Sequence, residues 1–392
     1  MSKSCLQRPL ILLKFFDVDE GLLSSRYNQW IHDRRFMNQY FSTKKIQSYI
    51  ASFYECADCL VDKINKKHSH TNNEIELLPL IEFCAVQGVC TTLFGMALED
   101  ERISDIYKKT SVIFETNTET FENGLKNPLQ FLDIFYKRSS NYRKVKNAQK
   151  YLTDLLTNMK FESESGESDE SLLQGLIKNG SEKFTKKQVR EHILTFLNAG
   201  LDTTSAMINY TILFLAMNLN CQEKLAEEIT ENLQNATELD ALLKMEYLDR
   251  VVKESFRLAP PIFLIGRETI EDFEILPGVI IPKDTALTIN TFVLHRRKEI
   301  YGDDSHNFNP DNFLPEKIAN RHSFSFQPFS TGRRNCIGYR FAIFFIKVVL
   351  VQLIKNFKFT TKSKYEDLRF KYGMTLKLTE NHLLMVDKRN SK

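Results

Sequence analysis

The chain has 392 residues, 42% of them apolar, and a formal net charge of +3 from 53 basic and 50 acidic side chains. That is enough apolar material for a sizeable core in one large domain or two smaller ones, and the near balance of charge gives nucleic-acid binding no compositional support. Seven cysteines, at 5, 56, 59, 84, 90, 221 and 336, form an odd and scattered set, which reads as a reducing compartment rather than a disulfide framework.

Met1 to Phe16 carries only a short apolar run, Pro9 to Leu13, and no small-residue cleavage site, so no secretory signal is expected. Within residues 21–40 Trp30 and Arg34 are four apart, so on a helix they share a face. An indole N–H beside a guanidinium makes a carboxylate-binding pair; the alternative is a half-buried tryptophan with a solvated arginine. From Ser42 to about Asn158 the chain is helical in character, with few glycines or prolines and many phenylalanines. Cys56-Ala57-Asp58-Cys59 has redox-motif spacing but no βαβ pattern around it, and His68-Ser69-His70 sits in a Lys- and Asn-rich loop. Structural cysteines and a solvated turn are the expected readings. Phe161 to Glu170, acidic and serine-rich, is expected to be an exposed connector that punctuates the domain without dividing it.

The longest helical pattern runs from Thr185, an N-cap residue, to about Asn218, with Ile193, Leu194, Leu197, Leu201, Ile208 and Ile212 on its apolar surface. Its middle reads Ala199-Gly200-Leu201-Asp202-Thr203-Thr204. Gly200 costs about 1 kcal/mol against alanine in a helix interior. Either the helix opens there to hold a water or dioxygen, with the Thr203 hydroxyl and Asp202 carboxyl delivering protons, or Gly200 is a packing site and the threonines bond back to the helix. Tyr247 to Leu258 forms another helix, ended by Pro260-Pro261. Glu254 and Arg257 pair across one turn of it, and such a pair contributes little if it lies on the surface. Arg267 follows the apolar Ile262-Phe263-Leu264-Ile265; taken alone it is equally a solvated strand charge. Residues 273–294 read as short strands of a small sheet, and Phe357 to Asp387 as a hairpin-like tail. Of the Asn-x-Ser/Thr sequons Asn179, Asn209 and Asn235, Asn209 falls inside the long helix, so all three are taken as coincidences.

Near the C-terminus stands Phe329-Ser330-Thr331-Gly332-Arg333-Arg334-Asn335-Cys336-Ile337-Gly338. A cysteine between glycines, with arginines before it, predicts a tight loop of backbone N–H groups able to keep a thiolate ionised and aim it at a metal; the bland alternative is a surface turn with a buried cysteine. A helix over Tyr339 to Ile354 follows. No bilayer span is expected, since one takes about 20 apolar residues and Phe341 to Ile354 is shorter and interrupted by Lys347 and Gln352.

The loop resembles the haem-binding signature of the cytochromes P-450, in which Phe, Gly, Arg, Cys and Gly recur at the spacings of Phe329, Gly332, Arg334, Cys336 and Gly338. Trp30-x-x-x-Arg34, Ala199 to Thr204 and Glu254-x-x-Arg257 resemble three further family motifs and occur in family order. The style is that of an insect microsomal member of the family-four clan. The resemblance implies a mainly α fold with small β-sheets (α+β), one domain over 1–392, and residues 329–338 as the haem-thiolate loop. It implies haem b with Cys336 as axial iron ligand and Phe329 shielding the sulfur. Gly200 and Gly338 would lie against the cofactor, and Trp30, Arg34, Arg267 and Arg334 on its propionates. Asp202 and Thr203 would be catalytic, relaying protons, with Glu254, Arg257 and Asn312 bracing the loop. The implied reaction inserts one oxygen atom of O2 into a lipophilic small molecule (xenobiotic, hormone or lipid). Electrons would come from NADPH through a flavoprotein reductase, with a cytochrome b-type protein as a further donor. Arg333, Arg340 and Lys347 are candidate docking contacts, or else ordinary solvated charges. The expected setting is a monomer at the cytosolic face of the endoplasmic reticulum membrane.

Three departures accompany the resemblance. Pro310-Asp311-Asn312-Phe313 has Asn312 where the family's Pro-x-Arg-Phe stretch has arginine, so the brace must close through an amide. Ala199 stands where many fatty-acid ω-hydroxylases carry a glutamate that esterifies haem, so neither a covalent link nor ω-specificity is carried over. The tryptophan-bearing helix begins close to Met1, and the chain is expected to be N-terminally shortened, without anchor, first helices and leading strands. The rival expectation is a truncated scaffold that binds haem poorly or not at all.

Overall fold

The computed structural model describes residues 19–68, 74–127, 129, 132–158, 170–178, 183–234 and 237–389. The expectations for Met1 to Phe16, for Cys5, Ser69 and His70, for Asn179 and Asn235, and for most of Phe161 to Glu170 lie outside these residues.

Helix α1 (Tyr27–Met37) is followed by α2 (Ile50–His68), α3 (Leu78–Thr92), α4 (Asp100–Lys126) and α5 (Ser140–Asn158). The long helix α6 spans Lys186–Met217, 32 residues or roughly 50 Å. Its start is fixed by a capping box: the Thr185 hydroxyl accepts from Gln188 N at 3.2 Å, and Gln188 Oε1 accepts from Thr185 N at 2.7 Å, so two amides that no helical carbonyl can reach are satisfied. Helices α7 (Leu219–Leu233) and α8 (Glu246–Leu258) follow, and α9 (Tyr339–Asn356) enters the core directly after the cysteine loop.

The strands are short. They are β1 (Glu74–Ile75), β2 (Leu264–Glu268), β3 (Phe273–Leu276), β4 (Val279–Ile281), β5 (Ala286–Asn290), β6 (Phe357–Thr360), β7 (Phe370–Tyr372), β8 (Leu376–Leu378) and β9 (Leu384–Lys388). They form antiparallel sheets in the orders β1-β9-β6, β2-β5, β3-β4 and β7-β8. The expected strands at 273–294 end earlier, because residues 291–294 form a helical turn capped by the Asn290 side chain.

Helix α6 lies against α3 and α9, and α9 also packs on α2. Phe53 of α2 meets Phe341 and Phe345 of α9 edge-on, both at 5.1 Å, a favoured aromatic geometry. Gly88 of α3 makes room for Phe345, whose ring lies 2.6 Å from where a Cβ would stand. These contacts hold the N-terminal half of α9, and with it the start of the helix that follows the cysteine loop, against α2 and α3.

Candidate active site

The loop is shaped by two left-handed residues, Ser330 at φ 59° and Gly332 at φ 76°, of which the second is held without strain because glycine has no Cβ. Cys336 N donates to Phe329 O at 3.0 Å and Asn335 N to Gly332 O at 3.2 Å, closing the turn on itself. The Phe329 ring is fixed from behind by Phe256 of α8, 4.9 Å away. The Cys336 side chain is exposed while Arg334, two residues earlier, is buried. Gly338 has an ordinary φ of −88°, and a Cβ there would meet only Phe41 at 3.7 Å. What glycine provides at 338 is therefore open space on the loop next to Phe41, which suits a flat group lying there.

The residues expected to hold anionic groups gather at this loop. Arg334 stands 4.8 Å from the Trp30 ring and donates to Ser25 O at 3.1 Å. Arg34 stands 6.0 Å from the same ring and donates to Asn335 O at 2.9 Å and to its Oδ1 at 3.2 Å. Burial lowers the Arg34 pKa from its ordinary value, and the charge of Cys336 opposes that shift. Arg267 is buried and reaches Ser330 Oγ at 2.8 Å. Arg267 is therefore no solvated strand charge, and Trp30 is buried rather than half-buried, while Arg34 is itself half-buried.

On α6 the helix is continuous through Ala199 to Thr204, so the expected opening does not occur. The Thr203 hydroxyl bonds back to Ala199 O at 2.7 Å, and Gly200 is a packing site, since its Cβ would stand 2.8 Å from Val89 Cγ2. Asp202 is buried but held from two sides: Thr375 Oγ1 donates to its Oδ2 at 2.6 Å, and Lys377 Nζ lies 3.1 Å from its Oδ1. Burial disfavours the Lys377 cation, yet Asp202 outweighs this and raises its pKa above the ordinary value. Glu82, on α3, is pushed up to about 7 by burial, with the Tyr107 hydroxyl acting against the shift. Sequence reading missed Thr375, Lys377 and Glu82, and no local pattern marks them.

The Glu254–Arg257 pair is no surface pair, for both side chains are fully buried. Arg257 grips both carboxylate oxygens at 2.7 Å and donates also to His295 O at 3.0 Å and Asn307 O at 2.9 Å. Glu254 Oε1 accepts from Asn309 N at 2.8 Å and from Asn312 Nδ2 at 3.1 Å, the amide closure expected from the sequence. Burial adds desolvation cost to both charges, and the extra donors and carbonyls offset it.

Lys347 is corrected as a docking contact: it is nearly buried and bonded to Asp249 Oδ1 at 3.1 Å, whereas Arg333 and Arg340 are exposed. Cys56 lies within α2, and burial pushes its thiol up to about 12, which suits a structural cysteine rather than a redox one. Asn209 lies inside α6.

The family model described as Cytochrome P450 matches residues 9–385. The chain belongs to the cytochrome P450 family. It is similar to probable cytochrome P450 313a4 of Drosophila melanogaster, 28% identical over 99% of this chain and 81% of that one. Probable cytochrome P450 4ac2 of the same fly is 31% identical, covering 97% and 76%, and cytochrome P450 4c21 of Blattella germanica is 29% identical, covering 94% and 77%. These relatives place the chain in the insect family-four clan, and its mainly helical fold with small antiparallel sheets is that of the family. As a cytochrome P450 it is a haem monooxygenase, an oxidoreductase whose iron takes a cysteine thiolate and which uses O2, a substrate and a redox partner.

Proposed function

We propose that Cys336 is the thiolate ligand and that the chain oxygenates lipophilic small molecules with electrons passed from NADPH through a flavoprotein reductase. The observation that carries this reading is the convergence of Trp30, Arg34, Arg267 and Arg334 on the loop that presents, among the described residues, the exposed cysteine. Haem, when bound, supplies the redox centre at which dioxygen is activated for insertion into a C–H bond. The three guanidiniums and the Trp30 indole would orient its two carboxylates. Phe329, backed by Phe256 of α8, would shield the sulfur, and Gly338 would leave space for the ring. Gly200 fits α6 closely against α3 and so sets the wall opposite. Thr203 Oγ1, released from Ala199 O, would pass its proton towards the oxygen site and take a replacement from solvent by way of the Asp202 carboxylate, which Thr375 and Lys377 steady. Glu254, Arg257 and Asn312 hold the loop in register.

Arg333 and Arg340 suit contact with an acidic partner, a reductase or a cytochrome b-type donor. We place the protein, as a monomer, at the cytosolic face of the endoplasmic reticulum membrane. The test is oxygen consumption by the haem-loaded protein with reductase, NADPH and a panel of lipophilic substrates. Product formed per O2 consumed should fall in Thr203→Ala by about a hundredfold, the lower range for one proton-transfer group; an unchanged ratio refutes the assignment of Thr203.

A further inference from the structure

The brace around Glu254 is complete in geometry but differs from the family's in charge. Asn312 supplies one N–H to Glu254 Oε1 at 3.1 Å and no cation. Glu254 and Arg257, both fully buried, cancel to a neutral pair, so the second positive charge of the Pro-x-Arg-Phe pattern is missing from that position. A guanidinium nevertheless stands beside the same cluster. Arg321, nine residues beyond Asn312 in the sequence, donates through Nη2 to the Asn312 carbonyl. Its guanidinium carbon lies 4.5 Å from the Tyr301 ring centroid and 5.7 Å from that of Phe313. Arg257 approaches the same Tyr301 ring at 4.8 Å, so the two cations share one aromatic group.

We propose that Arg321 is a positioning residue for the cysteine loop, restoring to the Glu254–Arg257 brace the cationic partner that Asn312 does not supply. Burial lowers the Arg321 pKa, Tyr301 and then Glu254 act in the opposite direction, and Arg257 adds to the lowering; the physical link between Arg321 and the pair is the Asn312 carbonyl and the shared Tyr301 ring. The place of Arg321 in the chain gives the contact its consequence, because residues 322–328 run from it straight into Phe329. That run is tied down in steps: Tyr301 Oη donates to Ser325 O at 3.3 Å, Gln327 N donates to His295 Nε2 at 2.9 Å, and the His295 carbonyl is held by Arg257. Ser330 N then returns to Gln327 O at 3.2 Å. Arg321 anchors the start of this ladder to the Asn312 carbonyl. Its planar fork can lie on a ring and donate at the same time, which a lysine ammonium on a flexible stem does less well.

The inference rests on the bracing role proposed above for Glu254 and Arg257. Its test is a double-mutant cycle on the haem-loaded full chain with Arg321→Gln, Asn312→Arg and the two combined, and Arg321→Lys beside them. The readouts are the rate of haem transfer to an acceptor protein and the thiolate-type absorbance band of the reduced, carbon monoxide-bound form. Arg321→Gln should lose haem about tenfold faster, equivalent to ~1.4 kcal/mol, and show a smaller thiolate band. Asn312→Arg should abolish that loss, and Arg321→Lys should fall between. If Arg321→Gln holds no haem at all, recovery in the double variant supports the proposal and its absence overturns it. Native behaviour in Arg321→Gln, or the same loss in both backgrounds, also overturns it. Glu254→Gln separates the two levels: if it too keeps haem like the native chain, the brace itself has been misread; if it releases haem and the cycle is additive, only the role of Arg321 fails.

Discussion

Replacing Lys377 by methionine tests how Asp202 is held. The substitution keeps most of the volume and removes the ammonium that lies 3.1 Å from Asp202 Oδ1. Breaking a fully buried ion pair costs about 3–5 kcal/mol, and an exposed pair is worth only about 0.2–1 kcal/mol. Here the carboxylate side chain is 7% exposed and the lysine side chain 46%, so solvent screens one partner and the expected loss is about 1–2 kcal/mol. Thr375 Oγ1 stays on Oδ2 at 2.6 Å and limits the damage. The assay is urea unfolding at neutral pH, in the native background and in Asp202→Asn. Lys377→Met should destabilise the first by the stated amount and the second hardly at all, because the charge it balances is gone. An equal loss in both backgrounds refutes the ion pair as the reason. The pH dependence has a definite sign: Asp202 raises the Lys377 pKa in the folded chain, so its contribution is present below the unfolded lysine value and fades as pH rises through the higher folded value.

Glu254→Gln leaves Arg257 buried without its counter-charge, and a loss of about 3–5 kcal/mol is expected from the urea midpoint; a loss under about 1 kcal/mol is the surface-pair outcome and contradicts the burial argument. His192 is fully buried, accepts from Leu22 N at 3.1 Å through Nδ1, and burial lowers it to about 3. The unfolded chain therefore takes up that proton first, and stability present above about 6.5 is lost as pH falls towards 3. Asp33, 3.6 Å from His192 Nε2, is itself pushed up to about 6 by burial, so below that value no carboxylate charge remains to hold a proton on the ring. His192→Gln should flatten the slope of stability against pH in that window by about 1.4 kcal/mol per pH unit; an unaltered slope shows that His192 is protonated in the fold.

What could be read from the sequence was what is local in the chain. The cysteine loop is ten contiguous residues, the α6 cap is a Thr and a Gln three apart, and the Glu254–Arg257 spacing is a single helical turn. Periodicity does not report depth, so that pair gave no sign of being buried. Thr375 meets Asp202 across 173 residues, a contact made by the tail folding back over α6, and nothing near either residue announces it. Lys347 was misjudged for the same reason: one cation on an apolar helix reads as solvated until Asp249 of α8 is found beside it. The opened helix expected around Gly200 rested on glycine's low helix propensity, but close fit to Val89 provides a reason for glycine without any break.

The account depends most on the sulfur of Cys336 being the donor to iron. Its most direct test is the absorbance difference spectrum of the reduced, haem-loaded chain on adding carbon monoxide, taken beside Cys336→Ala. A thiolate-type shifted band in the native chain that vanishes in the variant is the predicted result; a band that survives the substitution, or a native chain that takes up haem without ever showing it, contradicts the assignment.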